Sequence, residues 1–147
     1  MRAYCEGEMR NFDFEKNIEK STRKVFKLFF GSRLYMRRGD AEPVGDNVIG
    51  VNMMMDVHGS KRLSLYMDKR TIASLKERLG ATGGADVDYD LIGEMANMIA
   101  GNAICFTDAS ARISPPEKAA AGMCDIVDAM KFTSKLGRFA IAIQDMQ

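Results

Sequence analysis

The chain has 147 residues with 21 basic and 20 acidic groups, a formal net charge of +1, and 46% hydrophobic residues. That length suits one globular domain, and so even a charge balance gives no bulk field for nucleic acid or an acidic membrane, so neither is expected as a partner. Cys5, Cys105 and Cys124 are odd in number and far apart, which argues against a disulfide framework. With no signal-like N-terminus and no run approaching a membrane span, a cytoplasmic protein is expected.

Phe14, Ile18, Thr22, Val25 and Phe29 recur at intervals of three and four, which predicts a first helix over Phe12–Phe30, stopped by Gly31. Its Lys16, Lys20, Arg23, Lys24 and Lys27 alternate with Glu15 and Glu19 and read as a solvated helix face. Ser32–Arg38 reads as a short strand and Gly39–Asp46 as a loop. From Asn47 to Val57, the odd positions Ile49, Val51, Met53, Met55 and Val57 form one face of a strand. A turn at His58-Gly59-Ser60 returns it as Lys61–Met67, with Leu63, Leu65 and Met67 on one face, predicting an antiparallel hairpin.

Asp68 is placed to cap a helix running to Leu79, with Ile72, Leu75 and Leu79 inward and Gly80 ending it. A loop at 81–85 leads to a long helix from about Asp88 to Phe106, where Asp88 and Asp90 suit the positive end. Ala109, Ala111 and Ile113 then alternate as a strand that Pro115-Pro116 ends. Cys124–Thr133 and Arg138–Gln144 make a closing hairpin around Lys135-Leu136-Gly137. This order lacks the strict alternation of a doubly wound fold. It predicts a single α+β domain, with long helices packed on a largely antiparallel β-sheet.

The long helix carries the most unusual surface. Measured from Glu94 at zero, Met98, Leu91, Met95, Phe106, Ile99 and Ile92 span about 40° to 160° of the wheel, enough to seat it on a sheet. The remaining arc holds Gly93, Ala96, Asn97, Ala100 and Gly101 with Glu94, in place of the usual lysines and glutamates. Glycine inside a helix costs about 0.5–1 kcal/mol relative to alanine. Gly93 and Gly101 therefore point either to close packing within the chain or to close approach of a partner to Glu94 and Asn97. Asn102 falls inside the apolar stripe and reads as a tie to a neighbouring loop.

Other motifs fall away. Asp86-x-Asp88-x-Asp90 opens like a calcium loop, but Leu91 and Asn97 stand where that loop needs glycine and a bidentate glutamate. His58 is the only histidine, which disfavours a catalytic triad or a histidine-rich metal site, and its turn position suits an inert role.

The segment Ile92-Gly93-Glu94-Met95-Ala96-Asn97-Met98-Ile99-Ala100-Gly101-Asn102-Ala103 resembles the signature helix of the CheX branch of the CheC/CheX/FliY chemotaxis phosphatases: Glu-x-x-Asn, an apolar pair, a small residue and Gly-Asn-Ala. The similarity runs more loosely over nearly the whole chain. The closest counterpart of a second Glu-x-x-Asn, Glu19-Lys20-Ser21-Thr22, has no asparagine, which favours the single-site CheX arrangement. The chain departs from the family pattern at Ile113-Ser114-Pro115-Pro116, where an Ile-Ser-x-Pro-Thr run is usual.

The resemblance implies a phosphatase that hydrolyses the aspartyl phosphate of a CheY-type response regulator. Asn97 would position the attacking water and Glu94 would pair with a regulator lysine, while Gly93, Ala100 and Gly101 would admit the partner. It implies a homodimer, no cofactor or metal of its own, and a divalent metal (Mg) in the partner regulator. The alternative is a non-catalytic CheX-like adaptor for receiver or flagellar-switch proteins.

Overall fold

In the computed structural model, residues 2–57, 59–104, 111–120 and 128–146 are described, with side chains from Phe14 onward. Cys5, His58, Cys105, Phe106, Ala109 and Cys124 lie outside the described side chains. The elements are α1 (Arg2–Phe30), β1 (Tyr35–Gly39), β2 (Val48–Asp56), β3 (Ser60–Asp68), α2 (Lys69–Leu79), α3 (Ala85–Ile104), β4 (Arg112–Ile113), β5 (Glu117–Lys118), β6 (Ala129–Ser134) and β7 (Gly137–Met146). All the strands join one antiparallel sheet in the order β1-β6-β7-β3-β2-β4, with β5 also on β2. The structure is therefore α+β, as the element order predicts.

Alternation in the strands decides which way each side chain points. Val51, Met53, Met55, Leu63, Leu65, Phe139 and Ile141 face the helices and close one core with Phe14, Ile18, Ile72, Ile92 and Ile99. A smaller cluster occupies the opposite face, where Ala41, Val44 and Ala119 cover Val48, Tyr66, Ala140 and Ala142. The predicted β2–β3 hairpin pairs in register from Val48↔Asp68 to Asp56↔Ser60.

Local chemistry sets the ends of elements. Asp68 Oδ1 accepts the Thr71 N–H at 2.6 Å, capping α2 as its sequence predicts, and Gly80 ends that helix in the left-handed region. Gly31, also left-handed, bonds back to the Lys27 carbonyl at 2.9 Å and ends α1.

The structure corrects several boundaries. Helix α1 starts at Arg2, not Phe12, because 2–11 has helix-favouring residues without the apolar period that would reveal them. Phe29 is exposed, and Phe26 and Phe30 fill the core instead. Phe26 stacks on Phe139 with centroids 5.4 Å apart, and Phe139 stacks on Phe132 at 5.1 Å, which fixes the end of α1 over β6 and β7. Leu79, expected inward, is exposed on the last turn of α2. Strand β1 begins at Tyr35 and not Ser32, and α3 begins at Ala85 and not Asp88. Strand β5 has no signal in the sequence, since Pro115-Pro116 reads as the end of pairing.

Candidate functional site

Helix α3 is seated differently from the wheel drawn on hydrophobicity alone. Its buried residues are Ile92, Gly93, Met95, Ala96, Ile99, Ala100 and Ala103. On the same wheel they span about 100° to 260°, so the buried arc is turned toward the alanines. The cause is a second layer. The larger side chains enter the core above β2 and β3, while α1 packs along α3 and needs small residues for two helices to approach. Ser21 of α1 confirms the closeness by donating its hydroxyl to the Ile99 carbonyl at 2.7 Å.

This rotation sorts the candidate residues. Glu94 and Asn97 are exposed, three residues apart and so neighbours on one helix face. Among the described residues neither makes a hydrogen bond or ion pair. Gly101 borders them on the same arc, and among the described residues a Cβ added there would find no heavy atom beyond its own helix backbone within 4 Å. Gly93 and Ala100, expected to admit a partner, are buried and offer no surface to one. At Gly93 a Cβ would lie 3.2 Å from Pro116 Cγ, so close approach there is within the chain. Ala100 is fully buried in the core. Asn102 donates to the Met98 carbonyl of its own helix at 2.9 Å; it is not the predicted loop tie.

Pro116 is a neighbour of the site that the sequence reading missed. The strap carrying it runs along β2. Ser114 exchanges bonds with Met54, its N–H to the carbonyl and its Oγ accepting the amide, both at 2.8 Å. Farther on, Ala119 N–H reaches the Gly50 carbonyl at 2.8 Å. Lys118 places its ammonium 4.6 Å from the centre of the Tyr89 ring on α3. Pro115-Pro116, seen in the sequence as a departure, thus belongs to a segment that wedges α3 one residue before Glu94. In the same N-terminal half of α3, Asp88 pairs with Lys76 of α2 at 2.7 Å, with both side chains mostly buried. That pair and the strap fix the N-terminal half of α3, just ahead of the exposed face.

The arrangement has defined chemical capacity. A carboxylate and an amide, fixed on a rigid helix and unpartnered within the described residues, offer two acceptors on one group and an acceptor plus two donors on the other. Both groups are exposed on the helix surface and line none of the cavities among the described residues, so they are accessible to a macromolecular partner.

The sequence matches no family model and no curated protein. Solved structures do match. The CheC-like superfamily protein of Shewanella sp. PV-4 superposes with a TM-score of 0.70 at 20% identity, covering 89% of this chain and 96% of that one. Chemotaxis protein CheX of Desulfovibrio desulfuricans gives 0.65 at 20% identity, covering 90% and 99%. A chain of the CheX–CheY–BeF3–Mg2+ complex of Borrelia burgdorferi gives 0.65 at 14% identity, covering 90% and 98%. The chain has the CheC/CheX fold.

Proposed function

We propose that this protein is a phosphatase for the aspartyl phosphate of a CheY-type response regulator. In this reading Asn97 positions the attacking water and Glu94 pairs with a lysine of the regulator. The observation that carries it is the exposed pair itself: a carboxylate and an amide on one face of α3, with no partner among the described residues, beside a glycine open to approach.

The chemistry follows from what an acyl phosphate on a receiver already has. Its phosphoryl charge is balanced by the regulator's own groups, including a divalent metal held by the regulator. What hydrolysis still requires is a water held in line with phosphorus. The Asn97 amide oxygen accepts a hydrogen bond from that water and its NH2 donates to a phosphoryl oxygen, which a carboxylate at the same place would repel. Positioning of this kind reaches about 7–11 kcal/mol in ideal intramolecular cases, so one well-placed amide is enough for a large rate gain. Glu94 is more useful as a grip than as a base, because a largely dissociative transfer gains little from deprotonating the water. Gly101 lets the partner's surface come close to both groups.

Support also comes from the CheX–CheY complex of Borrelia burgdorferi, in which a protein of the same fold associates with CheY in the presence of BeF3 and Mg2+. A cytoplasmic location and a homodimer belong to the same reading, the latter checked by sedimentation equilibrium.

The test uses receivers phosphorylated with a small acyl-phosphate donor, and measures decay of the phosphoryl group with and without substoichiometric protein. Accelerated decay that disappears in Asn97→Ala supports the reading. Binding of receivers with unchanged decay would instead make the protein an adaptor.

A further inference from the structure

The near-zero net charge conceals a local imbalance. Leu28, Phe29, Tyr35 and Leu79 are 74%, 46%, 68% and 43% exposed, the first three at or after the end of α1 and the last at the end of α2. These ends are adjacent: the Arg78 guanidinium donates to the Phe30 carbonyl at 2.8 Å. Around them stand Lys24, Lys27, Arg33, Arg78 and Lys135, all exposed and none paired with a carboxylate among the described residues. Acidic residues near this end include Glu77 and, across the 80–84 loop, the exposed Asp86 and Asp90 of α3, while Asp88 is neutralised by Lys76. Between the ends lies an open cavity of about 450 Å³, lined by Ser32, Arg33, Tyr35, Arg78 and Lys135 among others, where the buried Ser32 hydroxyl oxygen has no hydrogen-bond partner among the described residues.

We propose that this end of the molecule is a peripheral docking surface for an anionic lipid bilayer. Scattered single apolar residues are ordinary on a surface, but a protruding apolar group ringed by cations is the pattern of an interfacial anchor. Leu28, Phe29 and Leu79 sit on helix ends, and Tyr35 stands at the rim of the cavity, so the group suits insertion between headgroups better than capture of a peptide. A second copy of the same surface fits poorly, because an isologous contact would set five cations against five. The cavity complements the inserted side chains: its three cations and the Ser32 hydroxyl can hold a lipid phosphate. No described helix is long and apolar enough to cross a membrane, so the contact is peripheral. The inference does not rest on the phosphatase reading.

The experiment is co-sedimentation of the full chain with vesicles of about 30% phosphatidylserine in phosphatidylcholine, and with phosphatidylcholine alone, at low and high salt. Each basic residue near an anionic surface strengthens binding about fivefold. Lys24→Glu/Lys27→Glu should therefore weaken binding more than tenfold, and Leu28→Ser/Phe29→Ser should also weaken it. Both pairs are solvent-exposed, and circular dichroism checks that the fold survives. Lys69→Glu/Arg112→Glu, the same change in net charge at the start of α2 and at the sheet edge, should retain binding. Equal loss in that control would reduce the effect to net charge and overturn the proposal. So would absence of the protein from the anionic-vesicle pellet at low salt. Binding to soluble poly-glutamate with no binding to vesicles would assign the surface to an acidic protein instead.

Discussion

Gly101→Ala separates what α3 needs for folding from what its exposed face is for. Among the described residues a Cβ at position 101 meets nothing beyond its own helix within 4 Å, so the substitution adds helix propensity without a clash there. The interior value of about 0.5–1 kcal/mol applies at its lower end, because Gly101 lies in the last turn of α3. For a domain of this size about 0.5 kcal/mol raises Tm by roughly 1–2 °C, which scanning calorimetry resolves. If the regulator packs against this face, the same methyl group obstructs it. Overpacking costs about 1–3 kcal/mol, so kcat/KM for dephosphorylation should fall roughly 5- to 150-fold. A variant that is more stable and less active is the expected outcome. Lower stability would refute the account of packing at this position, and raised stability with unchanged activity would remove Gly101 from the partner contact.

Gly93 supplies the contrast on the same helix. Its Cβ would press on Pro116, whose strap is tied to β2 through Ser114 and Ala119, so the ring has little room to yield. An overpacking cost of about 1–3 kcal/mol outweighs the propensity gain of about 0.5–1 kcal/mol, and Gly93→Ala should lower the urea midpoint.

Asn97→Ala should reduce kcat for phospho-regulator hydrolysis at least about tenfold with no loss of Tm, whereas Glu94→Ala should act mainly on KM; single-turnover and steady-state decay assays distinguish the two. Asp68→Ala removes the bond to the Thr71 amide and should cost about 1 kcal/mol in urea unfolding. Gly137 has a φ of +138°, and a Cβ there would collide with the Thr71 side chain. Gly137→Ala should therefore cost at least about 2 kcal/mol, read as a drop in the same midpoint.

The parts of the fold legible in the sequence are those with one buried face. Ile49, Val51, Met53, Met55 and Val57 alternate because only one side of β2 meets the helices there, and all are buried. The Asp68 cap is local chemistry and needs no tertiary information. The seat of α3 was not legible, because Ala96, Ala100 and Ala103 look neutral on a hydrophobicity scale and become core only when α1 packs against them. Pro116 was missed for a related reason: Glu117–Lys118 pairs with β2 by backbone alone, and its side chains carry no alternation. The charged end of the molecule vanished into a net charge of +1, since a sum discards position.

Glu94 and Asn97 were legible as a motif, yet their meaning depends on the rotation that the alanines impose. Had α3 been seated on the hydrophobic stripe alone, Gly93 and Ala100 would have shared the open face; instead Glu94, Asn97 and Gly101 share it with the exposed Asp86 and Asp90 of the preceding turns. A fold shared at 14–20% identity does not transfer a function by itself; the phosphatase and adaptor roles differ in what they require of this face. An adaptor could dock through the Glu94 charge and the room at Gly101. It has no evident use for an unpartnered amide one turn from the carboxylate, at a position where alanine would favour the helix by a few tenths of a kcal/mol. Asn97 is thus the residue at which the two readings part: an adaptor keeps full regulator affinity in Asn97→Ala and has no turnover to lose, whereas a phosphatase keeps its affinity and loses the rate.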